Sequence, residues 1–295
     1  MKGLFVGSQG IRAGWRWSIY ATLLVAAVGG LLRGAGLALH ALHISTKAPP
    51  GVQHLWVLIL TQSLILAAAL AATWIMTRID HLPFADGRLR WSPGRAREFA
   101  EGVLWGLCVC VGFVGLIAAM GGYSLGRMTG PPSTMLLSVA LWVVAAFING
   151  LGENLAVFGY ALSTIERAVG FWPAALGLTL LFTLSHAANA GETGVGLLSI
   201  AVQAFFLLVT IRRTGSLWLS VGVHAGGVLA EDCLLSVPDS GVTYTGHLTD
   251  AAFHGPAWLT GGSAGPEGSV AAFVVFALAA TLFLAIHRGP DPKPR

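Results

Sequence analysis

What this chain lacks most is charge. Only 10% of its 295 residues are Asp, Glu, Lys or Arg, where a soluble domain carries about 25%. Hydrophobic residues make up 55%, and mean hydropathy is +0.74. Apolar runs take up most of the length, so no room remains for a separate globular domain, and the composition is that of a polytopic membrane protein. Cysteine is scarce too. Cys108, Cys110 and Cys233 lie in apolar runs. The spacing of the first two turns them to different sides of a helix, which argues against a CxxC redox or zinc motif. All three read as small buried hydrophobes. There is no HExxH motif, and no internal repeat of the kind an inverted-repeat transporter shows. The first apolar run is too long for a signal-peptide core and lacks a cleavage site, so it reads as an uncleaved span. The formal charge of +4 does not point to nucleic acid, because the basic residues sit in short loops.

The apolar runs themselves predict an all-α fold of about eight transmembrane helices. They cover Trp17 to Leu42, Val52 to Met76, Ala100 to Met120, Thr134 to Thr164, Trp172 to Ala188, Gly194 to Ile211, Leu217 to Leu235, and Ser269 to Ile286. The fourth run is roughly 46 Å long as a helix, more than the hydrocarbon core of about 30 Å. It must tilt, emerge, or bend at Asn149-Gly150-Leu151-Gly152. The positive-inside rule sorts the loops. Lys2, Arg12, Arg16, the connector bearing Arg78, Arg88, Arg90, Arg95 and Arg97, then Arg167, Arg212, Arg213 and the tail's Arg288, Lys293 and Arg295 fall on one side. The other side has Lys47 and Arg127, with Glu192, Asp239, Asp250 and Glu267. Both termini are therefore expected in the cytoplasm, and the protein in the cell (inner) membrane. The expected divisions are a cytoplasmic segment (1–16), a first group of helices (17–133), a central group (134–235), an extracytoplasmic loop (236–268), and a last helix with a cytoplasmic tail (269–295).

Within the central group, mostly apolar segments carry Glu153, His186 and His224. An ionisable group inside a span costs about 2.5–3.5 kcal/mol on insertion scales and by default marks a functional site. Counted from the cytoplasmic helix ends, these residues lie roughly 17, 21 and 10 Å deep, so they are expected to meet in one cavity opening toward the cytoplasm. The structural readings stand beside this one. Glu153 also reads as a structural acid paired with an arginine or capping a broken helix, and each histidine as a hydrogen-bonded interhelical residue. A two-histidine, one-carboxylate metal site is a further alternative. Arg33 reads as a snorkelling side chain or the partner of an acid, Asn149 as packing at a bend, and Gln203 is the strongly polar interior residue of its span. Glu231 and Asp232, near the outer end of theirs, read as solvated. His247 and His254 show no ligand spacing.

The segments also resemble the CPBP family of intramembrane proteases, which includes the CAAX prenyl endopeptidases and bacteriocin-processing or immunity proteins. That family's pattern is E-E-x-x-x-R, then F-x-x-x-H, then H-x-x-x-N. Here the first motif reads Glu153-Asn154-Leu155-Ala156-Val157-Phe158, the second Phe182 to His186 is intact, and the third is His224-Ala225-Gly226-Gly227-Val228. The Thr214 to Trp218 run, the opening GIRAGWR and the loop Gly255 to Ser269 also look like bacterial members. The resemblance implies a glutamate-activated water, with Glu153 as base, His186 positioning the same water, and His224 donating to the oxyanion. It implies no cofactor, a divalent metal on Glu153, His186 and His224 being the alternative. The implied partners are a membrane-embedded or lipidated peptide and the bilayer, with no nucleic acid. The departures are Asn154, Phe158 and Val228. The first two are four apart on a helix, ion-pair spacing, so their joint replacement strands no charge. Val228 removes a hydrogen-bond donor whose typical worth is about 10²–10³ in rate. A non-catalytic relative that binds a membrane peptide is the second function class.

Overall fold

The computed structural model describes residues 6–7 and 10–288; Lys2, Lys293, Arg295 and the rest of the tail lie outside the described residues. After a two-residue pairing of β1 (Val6–Gly7) with β2 (Gly10–Ile11), the chain is almost entirely helical. The helices are α1 (Ala13–Ala41), α2 (Leu55–Ile79), α3 (Pro93–Ala119), α4 (Pro132–Asn154), α5 (Tyr160–Val169), α6 (Phe171–Ser185), α7 (Gly194–Thr214), α8 (Trp218–Val228), the short α9 (Ala257–Thr260) and α10 (Val270–Ile286). Among the described residues, five helical stretches are long and apolar enough to cross a membrane, one being the 38-residue run Pro132–Val169. α6 and α10 are shorter but equally apolar, and α8 is extended by a π turn over Leu229–Leu234. The protein is thus an all-α polytopic membrane protein. Its boundaries follow local chemistry: proline opens α3 and α4, and Gly215 at φ 69° ends α7. Thr193 and Ser269 cap α7 and α10 by accepting from the Gly196 and Ala272 amides.

The long fourth run does not break at Asn149–Gly152. It carries a π turn over Leu155–Gly159, one turn later, and Gly159 reaches φ −76°, ψ −107°. A π turn leaves backbone carbonyls poorly paired, and here the Tyr20 hydroxyl of α1 donates to Ala156 O at 2.9 Å. A distant side chain thus satisfies the irregularity, which the local sequence did not reveal.

The two ends of the bundle differ as the loop charges predict. At one end Arg16 pairs with Asp80 at 3.2 Å, and the Tyr160 hydroxyl donates to the same carboxylate at 2.6 Å. Arg88 and Arg212 both reach Glu166 there. At the other end β3 (Val52–Gln53) pairs in parallel with β5 (Thr243–Tyr244), and β4 (Tyr123–Ser124) pairs antiparallel with β6 (Ala252–Phe253). These pairings turn the loop 236–268 into a folded cap in which Val237, Leu259 and Ala264 are buried. Large apolar side chains such as Val25, Leu37, Leu104, Leu136 and Leu278 face outward, as lipid contact requires. Arg33 is exposed on α1. Cys110 and Cys233 are buried as expected; Cys108 is not, because its side of α3 faces outward.

The centre of the bundle is α8, buried at every residue from Leu219 to Val228. Its glycines make that possible. A Cβ on Gly102 of α3 would overlap the Leu219 carbonyl oxygen, and one on Gly106 would overlap that of Val223. Conversely, a Cβ on Gly222 or Gly226 would overlap the carbonyl oxygens of Phe99 or Val103. This is small-xxx-small packing on both helices, which lets two backbones touch. Gly150 of α4 approaches α8 as well, a Cβ there meeting Val221 O at 2.9 Å.

Candidate functional site

A cavity of about 370 Å³ opens between α1, α2, α4, α6, α7, α8 and the folded cap. Its walls bring together the residues singled out by sequence, Glu153, His186, His224 and Val228, with Phe182 beneath them. Glu153 is the hub. One carboxylate oxygen, Oε1, accepts from Gln62 Nε2 at 3.0 Å. The other, Oε2, has no hydrogen-bond partner and lies 3.8 Å from Nε2 of both His186 and His224. That separation is too long for a direct hydrogen bond.

The hydrogen bonds behind each imidazole fix its tautomer. His186 Nδ1 lies 2.8 Å from Phe182 O. A carbonyl only accepts, so Nδ1 carries the proton and Nε2 faces Glu153 as a bare acceptor. His224 is arranged the other way. Asn154 Nδ2 is 2.8 Å from Gly150 O and 3.1 Å from His224 Nδ1. The Gly150 carbonyl requires the amide nitrogen on that side, and the Ser220 hydroxyl donates to Asn154 Oδ1 from the other. With both Asn154 N–H groups pointing as donors, His224 Nδ1 accepts and Nε2 carries the proton toward Glu153. A carboxylate at position 154 would accept from Nδ1–H and reverse this tautomer.

Phe158, the other departure on this helix, is fully buried and stacks on Phe182 with ring centroids 5.5 Å apart. Phe182 in turn lies 4.8 Å from the His186 ring and 6.1 Å from that of His224. Apolar packing thus occupies the place of a charge pair, and no stranded charge remains. Val228 is buried against Leu55, Trp142 and Ala225 while also reaching the cavity wall.

Two expectations need correction. The cavity is walled by Asp239, Ser240 and Tyr244 of the cap and by no residue of the arginine-rich connector. It therefore extends to the end of the bundle opposite the one expected, because α6 ends at Ser185 and leaves His186 at the cap side. Glu231 and Asp232 are not solvated: they are 4% and 3% exposed, beneath the cap. The loop looked open by composition, and its folding over α8 is what buries them. His247 Nδ1 lies 2.8 Å from Tyr244 O and His254 Nε2 lies 3.1 Å from the Ser124 hydroxyl, and neither residue lines the cavity.

Gln62, Asn149, Asn189 and Tyr244 also line the cavity and were not linked to it by sequence reading. Gln62 and Asn149 are 9% and 8% exposed, and each leaves its side-chain carbonyl oxygen unpaired. Gln62 carried a usable signal, a primary amide in the middle of an apolar run, the same logic that picked Gln203, which does line the cavity. Tyr244 carried none, since it reaches the cavity through a strand pairing with α2's approach.

The protein is thus a multi-pass helical membrane protein in which a carboxylate and two imidazoles face one internal cavity. Residues 135–229 match the family described as type II CAAX prenyl endopeptidase Rce1-like. The matched segment holds Glu153, His186, His224 and Val228. No curated protein matches the chain.

Proposed function

We propose that the protein is an endopeptidase of the cell membrane that cleaves a membrane-embedded or lipidated peptide with a water activated by Glu153. The observation that carries this reading is the unpaired Glu153 Oε2, 3.8 Å from both Nε2 atoms inside the cavity. The proton arrangement supports a water at that point. One water hydrogen is accepted by Glu153 Oε2 and the other by the bare His186 Nε2, which leaves a lone pair free to attack. As the water oxygen bonds to the peptide carbonyl carbon, its proton passes to Glu153. The carbonyl oxygen becomes an oxyanion and accepts from His224 Nε2–H. Collapse breaks the C–N bond, and the proton held by Glu153 goes to the departing amine nitrogen. Gln62 holds the carboxylate in register throughout.

The hydrogen bonds favour this reading over a metal at the same residues. The site to be filled would need a lone pair on His224, yet Nδ1 is taken by Asn154 and Nε2 carries the proton. For substrate, the apolar walls contributed by Leu24, Val28, Ile65 and Val157 suit a hydrophobic peptide or an attached lipid.

The test is cleavage of quenched, membrane-inserted peptides, with and without a prenyl group, by the purified protein beside Glu153→Gln. Hydrolysis by the wild type that Glu153→Gln abolishes is the expected result. If neither protein cleaves but both bind the peptides equally, the site serves binding alone and the catalytic reading falls.

A further inference from the structure

Beyond the Glu153 cavity, a second concentration of acid lies under the cap. Glu231 on the π turn after α8, Asp239 in the following loop, and Glu267 just before α10 each present a carboxylate oxygen within 4.8 Å of the others. Glu231 and Glu267 are 4% and 3% exposed. Glu267 Oε1 is enclosed and has no hydrogen-bond partner. Among the described residues, no arginine, lysine or histidine forms an ion pair with any of the three. The nearest imidazoles toward Asp239 are those of His186 and His224, already committed to Phe182 O and Asn154. Glu192 and Asp232, also close, add negative charge rather than offsetting it.

Buried carboxylates need a counter-charge or must take up protons. We infer that Glu231, Asp239 and Glu267 form a divalent-cation site of the calcium type, which clips the folded cap to the end of α8. The donors are all hard oxygens, the ligand set of Ca²⁺ or Mg²⁺. Three carboxylate oxygens within 4.8 Å of one another can turn to one ion, and ligands drawn from separate segments suit the flexible coordination of Ca²⁺ better than the near-ideal octahedron that Mg²⁺ demands. The ligands come from separate segments, so the ion would tie α8, the loop after it, and the turn before α10 into one unit. Glu231 and Asp239 also line the Glu153 cavity, so the clip would fix the wall of that cavity.

The experiment uses the purified full-length protein, stripped with chelator and titrated with CaCl₂, with MgCl₂ as a second arm. Calorimetry reads binding, and tryptophan fluorescence on heating reads stability. Saturable Ca²⁺ binding in the millimolar range or tighter, with a rise in unfolding midpoint and a weaker Mg²⁺ response, is expected. Glu267→Gln should weaken Ca²⁺ binding by about tenfold or more, since affinity follows the ligand charge count. Its ion-free midpoint should equal or exceed that of the wild type, because one of several repelling carboxylates is gone. Asp239→Asn, on the loop and partly exposed, provides the same readout if Glu267→Gln does not fold. Glu153→Gln should leave Ca²⁺ binding unchanged, which separates this site from the Glu153 carboxylate and its failure from that of the protease reading. No saturable binding by the wild type, equal binding by Glu267→Gln and Asp239→Asn, or loss of binding in Glu153→Gln would each overturn the inference.

Discussion

The two faces of α8 solve opposite problems. Toward α3, Gly222 and Gly226 meet Gly102 and Gly106 so closely that no Cβ fits between the backbones. Toward the cavity, His224, Gly227, Val228 and Glu231 border about 370 Å³ of open space. The tight face explains how the open one is possible. A helix of 11 residues has little contact area of its own, and a wide cavity on one side removes more. Backbone-to-backbone packing on the other side holds α8 where His224 can face Glu153 across α4. Nothing in the chemistry of the cavity requires glycine at 102; the geometry does.

The largest effect should come from the open face. Glu153→Gln keeps the shape and the Gln62 contact but removes the proposed base, and general-base groups are worth about 10²–10⁴ in rate. Peptide cleavage should fall by that factor while the unfolding midpoint holds steady; a residual rate above one tenth of wild type would remove Glu153 from the mechanism. The tight face comes next. Gly106→Ala drives a methyl into the Val223 carbonyl, and overpacking costs about 1–3 kcal/mol, occasionally more. Thermal aggregation in detergent should begin at clearly lower temperature than in the wild type. If Gly106→Ala is as stable as the parent, the seam is looser than described and cannot be what positions His224.

A smaller effect, and one of opposite sign, is expected at the border between the faces. Val228→Asn adds a donor one turn from His224, on the same side of α8. The turnover rate should rise by about tenfold or more, in line with a single oxyanion donor, with little change in KM because the bond forms mainly in the transition state. The double variant Val228→Asn with Glu153→Gln should show no gain, and a gain there would mean that the asparagine acts by some other route. The smallest effect belongs far from both faces. Arg95→Ala breaks a partly exposed i,i+3 pair with Glu98 and a 3.3 Å bond to Thr214 O; exposed ion pairs are worth about 0–1 kcal/mol, and a long bond at the helix end adds little. Neither cleavage rate nor midpoint should move appreciably, and a large loss would place the basic end of the bundle in the function.

The sequence by itself determined the class of protein, the helices to within a few residues at most ends, and the polar groups worth watching. It could do so because hydropathy, proline and glycine boundaries, and the cost of an ionisable group in a span are local properties. The ionic sorting of loops was legible for the same reason, and Arg16, Asp80, Arg88, Glu166 and Arg212 do gather at one end. Only the tertiary structure decided the rest. The π turn at Leu155–Gly159 depends on Tyr20 from another helix. The tautomer of His224 depends on Asn154, 70 residues away in sequence, and on which side Ser220 and Gly150 approach that amide. Glu231 is buried because the cap folds over it, and it meets Asp239 and Glu267 for the same reason. A span's existence is set by its own residues; the protonation of a side chain and the charge around it are set by whichever segments pack against it, and a sequence does not name those.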